Sequence, residues 1–182
     1  LASDLMVNYL DDLKYEIDKF NPDWVLVDTA GQLELCAFRD TGPLIASSLG
    51  FKATQKCVSF LFDANMVLRP NGFISTLLLA ALVQFRFRDI SQINILSKSD
   101  ILEEYQIDMI LDWSQDFQAL EDSTSERENG LIRELSMLLS DVFVQLGSTS
   151  ELIPTTIKED DGLEYLFAYL QRVFNSDKSP FY

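Results

Sequence analysis

The chain has 182 residues, of which 47% are hydrophobic and 12% aromatic, so it can build a full core and is not a disordered chain. Its 29 acidic and 14 basic side chains give a formal net charge of −15, which argues against direct binding to nucleic acid. The sequence has no histidine and two cysteines. This excludes histidine-dependent triads, histidine-ligated zinc and a disulfide framework.

Features of secretion and membrane insertion are absent from the sequence. No basic segment precedes an apolar run near the start, and the longest strongly apolar stretch, 73–85, is shorter than the ~20 residues that a membrane span needs. Because few cysteines also favour a reducing compartment, we expect a cytoplasmic protein without membrane attachment. The first residue is Leu1 and not Met, from which we expect a processed, trimmed or partial chain.

Helix and strand patterns alternate from the start of the chain. The first segment repeats apolar residues at helical spacing and ends before Pro22, since the residue preceding a proline avoids the helical region. The continuous apolar run Trp24–Val27 predicts a strand buried on both faces, as in parallel sheets. Thr41-Gly42-Pro43 predicts the start of a short helix, with Thr41 as its cap.

The same alternation continues to the end of the chain. Three further apolar runs predict strands, at 57–62, 93–96 and 151–154. Apolar periodicity predicts helices at 70–87, about 103–120, 129–146 and 162–174, with a polar loop over 121–129. Since strands and helices alternate without a hairpin signal, we predict an α/β fold with a mainly parallel sheet flanked by helices.

Two features of the second half concern its surface and its core. Residues 101–126 contain eight acidic and no basic side chains, which indicates a solvated face or, alternatively, a docking surface for a basic partner. The apolar residues of the helix predicted at 129–146 are expected to lie in the core: Leu131, Leu135, Leu138, Leu139, Val142 and Phe143.

Polar residues follow each predicted strand, where ligands bind in parallel α/β sheets. After the first strand, the Asp28 carboxylate can hold Mg²⁺ through water, the Gly31 N–H can approach a terminal phosphate, and Gln32 can orient an attacking water. Asp-x-x-Gly alone is also common in turns. After the second strand, Asp63 is expected to cap the chain where the strand ends.

The ends of the last two predicted strands suit a purine base. The Asp100 carboxylate can accept both edge N–H groups of guanine, whereas adenine lacks that pair of donors. The stem of Lys98 can lie over the base or the ribose. Thr155 and Thr156 are small enough for backbone N–H groups near them to reach the guanine oxygen.

Together these segments resemble the motifs of GTPases in their order and spacing. Asp28–Gln32, DTAGQ, resembles the third motif, and Ser97–Asp100, SKSD, resembles the fourth. The details are similar to the GPN-loop GTPases, which read DTPGQ-x-E, because Glu34 stands two residues after Gln32. Arg-Pro-x-x-Phe-Ile at 69–74 and the acidic helical segment after the fourth motif add to the resemblance, which covers essentially the whole chain.

The sequence also departs from that family. Ala30 stands where the family has proline, and Ser97 replaces the more familiar asparagine. Neither the phosphate-binding GxxxxGK[ST] motif nor Gly-Pro-Asn occurs in these 182 residues, although in the family both precede the first helix seen here. We therefore expect a single GTPase-like domain over 1–182 that is the C-terminal portion of a longer protein, with a helical insertion at about 101–147.

The resemblance implies a three-layer fold of the P-loop NTPase type whose N-terminal part is missing. It implies a Mg²⁺-dependent homodimer that binds GTP and GDP, hydrolyses GTP to GDP and phosphate, and assists assembly of a larger complex such as RNA polymerase. The roles it implies are catalysis by Gln32 and Glu34, nucleotide binding by Gly31, Ser97, Lys98, Asp100, Thr155 and Thr156, and metal binding by Asp28.

Two alternatives remain open at this point. One is a GTPase-like interaction module without hydrolysis, which the missing phosphate-binding motif would fit. The other is a fragment of a Ras-like GTPase, which would share DTAGQ. In those proteins a glutamate usually follows the glutamine, whereas this chain has Leu33, and the acidic insertion is foreign to them.

Overall fold

The computed structural model of the chain describes residues 7–29, 33, 37–49, 56–146, 151–156, 158 and 162–176. Its contacts divide the chain into two compact units. The N-terminal unit consists of Leu1–Lys56 with Val83–Ile90, and the sheet unit consists of Cys57–Leu82 with Ser91–Tyr182.

The N-terminal unit contains a 3₁₀ turn, Val7–Tyr9, and the helices α1, Leu10–Phe20, and α2, Thr41–Ser48. Helix α1 ends as predicted, since Asn21 adopts a left-handed conformation with φ 45° before Pro22. The prediction that Thr41 caps α2 was wrong. Asp40 precedes the helix, and no side-chain hydrogen bond caps it.

The predicted strand at Trp24–Val27 is not found. These four residues have no regular secondary structure, and their side chains are exposed, Leu26 to 93% and Val27 to 52%. A strand needs a neighbour that takes its backbone hydrogen bonds. In the described part of the N-terminal unit no other strand is present, so an apolar run alone did not decide the structure.

The sheet unit is built on three parallel strands in the order β1 (Cys57–Asp63), β2 (Ser91–Ser97) and β3 (Leu152–Thr155). The three later strand predictions and the parallel arrangement are therefore confirmed. The register pairs Asp63 with Ser97 and Ser97 with Thr155, so the carboxyl ends of all three strands meet at one edge.

Helices flank this sheet. They are α3 (Ala64–Val67), α4 (Pro70–Arg86), α5 (Glu104–Gln115), α6 (Phe117–Arg127), α7 (Gly130–Leu146) and α8 (Leu163–Ser176), with a 3₁₀ turn at Ser99–Ile101 between α4 and α5. The last turn of α4, from Val83, is counted with the N-terminal unit. None of the helices in the described residues is long and apolar enough to span a bilayer.

The predicted loop over 121–129 was wrong for 121–127, because the polar sequence there belongs to a helix, whereas 128 and 129 are not helical. The helix predicted at 103–120 is interrupted at Asp116, whose side chain accepts a hydrogen bond of 2.9 Å from the N–H of Gln118 and so caps α6. Helix α6 then continues to Arg127 because Leu120 and Thr124 are buried on one face, while its acidic residues lie outside.

The core of the sheet unit gathers side chains from β1, β2, α4, α5 and α6. Trp113 is 1% exposed and packs edge-on against Phe73, with ring centroids 5.8 Å apart. Of the residues of α7 expected in the core, Phe143 is buried and Leu139 packs against the core. The expectation was wrong for four others, which are exposed: Leu131, Leu135, Leu138 and Val142.

Candidate functional site

The carboxyl edge of the sheet collects most of the residues predicted to bind a nucleotide. Ser97 is the last residue of β2 and its hydroxyl donates to the carbonyl of Phe62, 3.2 Å away, which ties β2 to β1 at this edge. Thr155, the last residue of β3, is paired with Ser97 in the sheet register. Lys98 and Asp100 follow β2 directly, and Thr156 follows β3.

Lys98 forms an ion pair across the strand ends. It has a left-handed conformation, φ 60° and ψ 38°, and its Nζ lies 2.5 Å from Oδ2 of Asp63. The other oxygen of Asp63 accepts from the N–H of Asn65 at 2.9 Å, which confirms the predicted capping role. The hydrogen bond from Lys98 lowers the pKa of Asp63, and the bonds from Asn65 add to that effect against partial burial.

Asp100 is held by two residues of the segment after β3. Thr156 Oγ1 donates to its Oδ1 at 3.0 Å, and Lys158 Nζ lies 2.6 Å from its Oδ2. Lys158 is the main cause of a lowered Asp100 pKa, Thr156 lowers that pKa further, and desolvation opposes both. A carboxylate has about four lone-pair positions, so these donors leave Asp100 acceptor capacity for a ligand.

Lys158 is the residue of this site that sequence reasoning missed. Its own N–H donates to Thr156 Oγ1 at 3.1 Å, so the Thr156 hydroxyl bonds to both Lys158 and Asp100. One local feature of the sequence could have indicated this role for Lys158, namely a lysine two positions after a threonine that directly follows a predicted strand. Thr156 was predicted to act only near backbone N–H groups, whereas the residue is 8% exposed and its hydroxyl is bonded to Asp100.

The remaining predicted residues belong to the N-terminal stretch of the chain. Asp28 belongs to the N-terminal unit and is exposed, and Gly31, Gln32 and Glu34 lie outside the described residues. Within the described ranges no group of three acidic, cysteine or histidine side chains could hold a metal ion. A single carboxylate such as Asp28 suits Mg²⁺ in its chemistry, because that ion usually takes one or two carboxylates together with water and substrate phosphates.

Acid is expected to break the contact between Lys158 and Asp100. Because the pKa of Asp100 is lowered from 3.8, the stabilisation by this ion pair is present above pH 3.8 and is lost as the pH falls through the lowered value. In an NMR titration, the Asp100 carboxyl should have its midpoint below 3.8 and move up towards 3.8 in Lys158→Met.

The reciprocal control is Lys98→Met, which should move the midpoint of Asp63 and leave that of Asp100 in place. An Asp100 midpoint that stays unchanged in Lys158→Met would show that the ion pair is not formed in solution.

Comparison with known proteins relates this arrangement to one family. Residues 1–176 match the model of a family described as conserved hypothetical ATP binding protein. The chain is 25% identical over 171 residues to GPN-loop GTPase 3 of Eremothecium gossypii, covering 92% of this chain and 62% of that protein. It is 27% identical over 168 residues to GPN-loop GTPase 2 of Xenopus laevis, covering 90% and 52%.

A solved structure shows the fold. The crystal structure of a GTPase in apo form from Pyrococcus abyssi superposes with a TM-score of 0.76 at 18% identity, over 94% of this chain and 67% of that one. The likeness confirms the predicted α/β class with a parallel sheet flanked by helices. The chain spans about three fifths of the Eremothecium relative. With a family model that matches nearly all of its residues, the chain belongs to the GPN-loop GTPase family.

Proposed function

We propose that this chain is the base-recognising part of an enzyme that binds GTP and hydrolyses it to GDP and phosphate. The observation that supports this best is the Asp100 carboxylate, which Thr156 and Lys158 hold in place and which keeps acceptor capacity for a ligand. Guanine presents two adjacent N–H donors on one edge, which a carboxylate accepts together. Asp100 therefore selects guanine over adenine.

The family description and the relatives' names disagree on the base, since the description says ATP and the names say GTPase. The chemistry of Asp100 favours GTP, because adenine does not present the pair of adjacent N–H donors that a carboxylate accepts together. Calorimetric titration of the full-length protein with GDP, GTP and ATP in the presence of Mg²⁺ tests this. We expect GTP and GDP to bind at least about tenfold more tightly than ATP, which needs about 1.4 kcal/mol. Equal affinity for ATP and GTP would contradict the proposal.

Hydrolysis is assigned to residues near the DTAGQ segment. Asp28 would hold Mg²⁺ through water, Gly31 would contact the terminal phosphate, and Gln32 with Glu34 would order the attacking water. The bound ion would neutralise charge on the phosphates. No covalent intermediate is required, so catalysis would come from positioning and electrostatics. Nucleotide binding without turnover in the full-length protein would favour a non-hydrolysing interaction module instead.

We also propose that the protein works as a homodimer in the cytoplasm, where it assists assembly of a larger complex such as RNA polymerase. Helix α7 supports the dimer, because it exposes an apolar row at helical spacing, Leu131, Leu135, Leu138 and Val142, between 49% and 78% accessible. A contiguous apolar face on an otherwise charged protein is typical of a contact surface.

Substitution of Leu138 by glutamate is expected to convert the dimer to a monomer, since a second copy would have to bury the new charge. Light scattering coupled to size-exclusion chromatography measures this. The control is Val144→Glu, which places the same charge at a 51% exposed apolar position on another side of α7. Equal effects of the two variants, or a dimer that persists in Leu138→Glu, would exclude this face as the interface.

A further inference from the structure

A cavity of ≈ 450 Å³ lies in the sheet unit and shares no residue with the site around Asp100. Arg69, from the turn after α3, lines it together with residues of α5 and the C-terminal end of α6. Tyr105, Gln106 and Met109 come from α5, and Arg127 and Glu128 from the end of α6. Its volume is in the range of sites for small molecules, about 300–1,000 Å³.

Glu128 is the unusual residue of this cavity. It is 6% exposed, and its buried Oε1 has no hydrogen-bond partner among the described residues. None of the ion pairs found among the described residues includes Glu128. A buried carboxylate oxygen without a hydrogen-bond donor is energetically unfavourable. Because an ionised carboxylate only accepts hydrogen bonds, Oε1 requires a donor, and a cationic nitrogen is the strongest one.

Two arginines bring positive charge to the lining of the cavity. Arg69 and Arg127 are both exposed, and the guanidinium of Arg127 stands 5.9 Å from the centroid of the Trp113 ring. Neither arginine pairs with Glu128. A purely cationic ligand would be repelled by the two arginines, and a purely anionic ligand would be repelled by Glu128. A group that carries both charges satisfies all three side chains.

We propose that this cavity binds a zwitterion of the amino-acid type, with its cationic nitrogen at Glu128 and its carboxylate at Arg69 and Arg127. A free basic amino acid has this chemistry, and so does a lysine or arginine at the C-terminus of a protein. The site is separate from the proposed nucleotide site and does not depend on it.

Calorimetry on the full-length protein tests the proposal with three probes. L-arginine carries both charges, agmatine lacks the carboxylate, and Nα-acetyl-L-arginine stands for a C-terminal arginine. L-arginine should bind at least about tenfold more tightly than agmatine, the effect of one charge-assisted contact. Equal binding of the acetylated probe and L-arginine identifies the C-terminal residue of a protein as a source, and binding of L-arginine alone identifies the free amino acid.

Three variants locate the two charges. Glu128→Gln should weaken L-arginine binding at least about tenfold, and Arg69→Gln should narrow the difference in affinity between L-arginine and agmatine, since Arg127 still faces the carboxylate. Glu126→Gln, an exposed acid of α6 outside the cavity, should bind as the wild type does. Thermal melts check that each variant is folded, and L-arginine should raise the melting temperature of the wild type and Glu126→Gln only. No saturable binding to the wild type, as expected if an ordered water serves Glu128, or undiminished binding to Glu128→Gln would overturn the proposal.

Discussion

Substitution of Asp100 by asparagine should change which base the protein accepts. In Asp100→Asn one carboxylate oxygen becomes an NH₂ donor, which faces a donor of guanine and leaves both unpaired. Hydrogen bonds to a charged group contribute about 1.5–3 kcal/mol each, so GDP should bind roughly 100-fold more weakly. Xanthine has a carbonyl where guanine has its amino group, so the variant should gain affinity for XDP.

The measurement is a pair of calorimetric titrations, with GDP and with XDP, on the full-length wild type and the variant. Thr156 can still donate to the remaining oxygen, so the loop after β3 should keep its place in the variant. Asp108→Asn is the matched control, since it makes the same change at an exposed position of α5. Undiminished GDP affinity in Asp100→Asn, or equal losses in both variants, would remove Asp100 from base recognition.

The sequence was sufficient where local pattern and topology act together. The three strands of the sheet unit were placed within two residues because each is a short apolar run that ends in polar residues. Once the strands are parallel, their carboxyl ends share one edge. That rule alone brought Asp63, Lys98 and Asp100 together with Thr156, as the structure has them.

The failures share a cause, which is that burial and pairing depend on partners distant in sequence. Trp24–Val27 has the composition of a strand, but a strand also requires a neighbour. The apolar row of α7 has the spacing of a core face, but Phe143 of the same helix is buried in the core while Leu138 is exposed. Neither Lys158 nor Glu128 belongs to a sequence motif. Lys158 stands out because it contacts Asp100, and Glu128 stands out because its buried oxygen lacks a hydrogen-bond donor.

Stability should depend most sharply on Gly72, in the first turn of α4. A Cβ at this position would overlap the carbonyl oxygen of Met66, so α4 and α3 approach each other too closely for any side chain there. Helix propensity alone predicts that Gly72→Ala stabilises the protein by about 1 kcal/mol. The contact predicts the opposite sign, because the clash is with backbone and no rotamer relieves it.

We expect Gly72→Ala to lower the free energy of unfolding by about 3 kcal/mol, at the upper end for overpacking, since α4 must shift and the next two residues move with it. These are Phe73 and Ile74, 0% and 1% exposed, and Phe73 packs on Trp113 at the centre of the core. Chemical denaturation followed by tryptophan fluorescence measures the change. Ser75→Ala, at an exposed position of the same helix, should stay within about 0.5 kcal/mol of the wild type. A Gly72→Ala protein as stable as Ser75→Ala would mean that α3 yields to the new methyl group, and the close approach of the two helices would then not be what requires glycine.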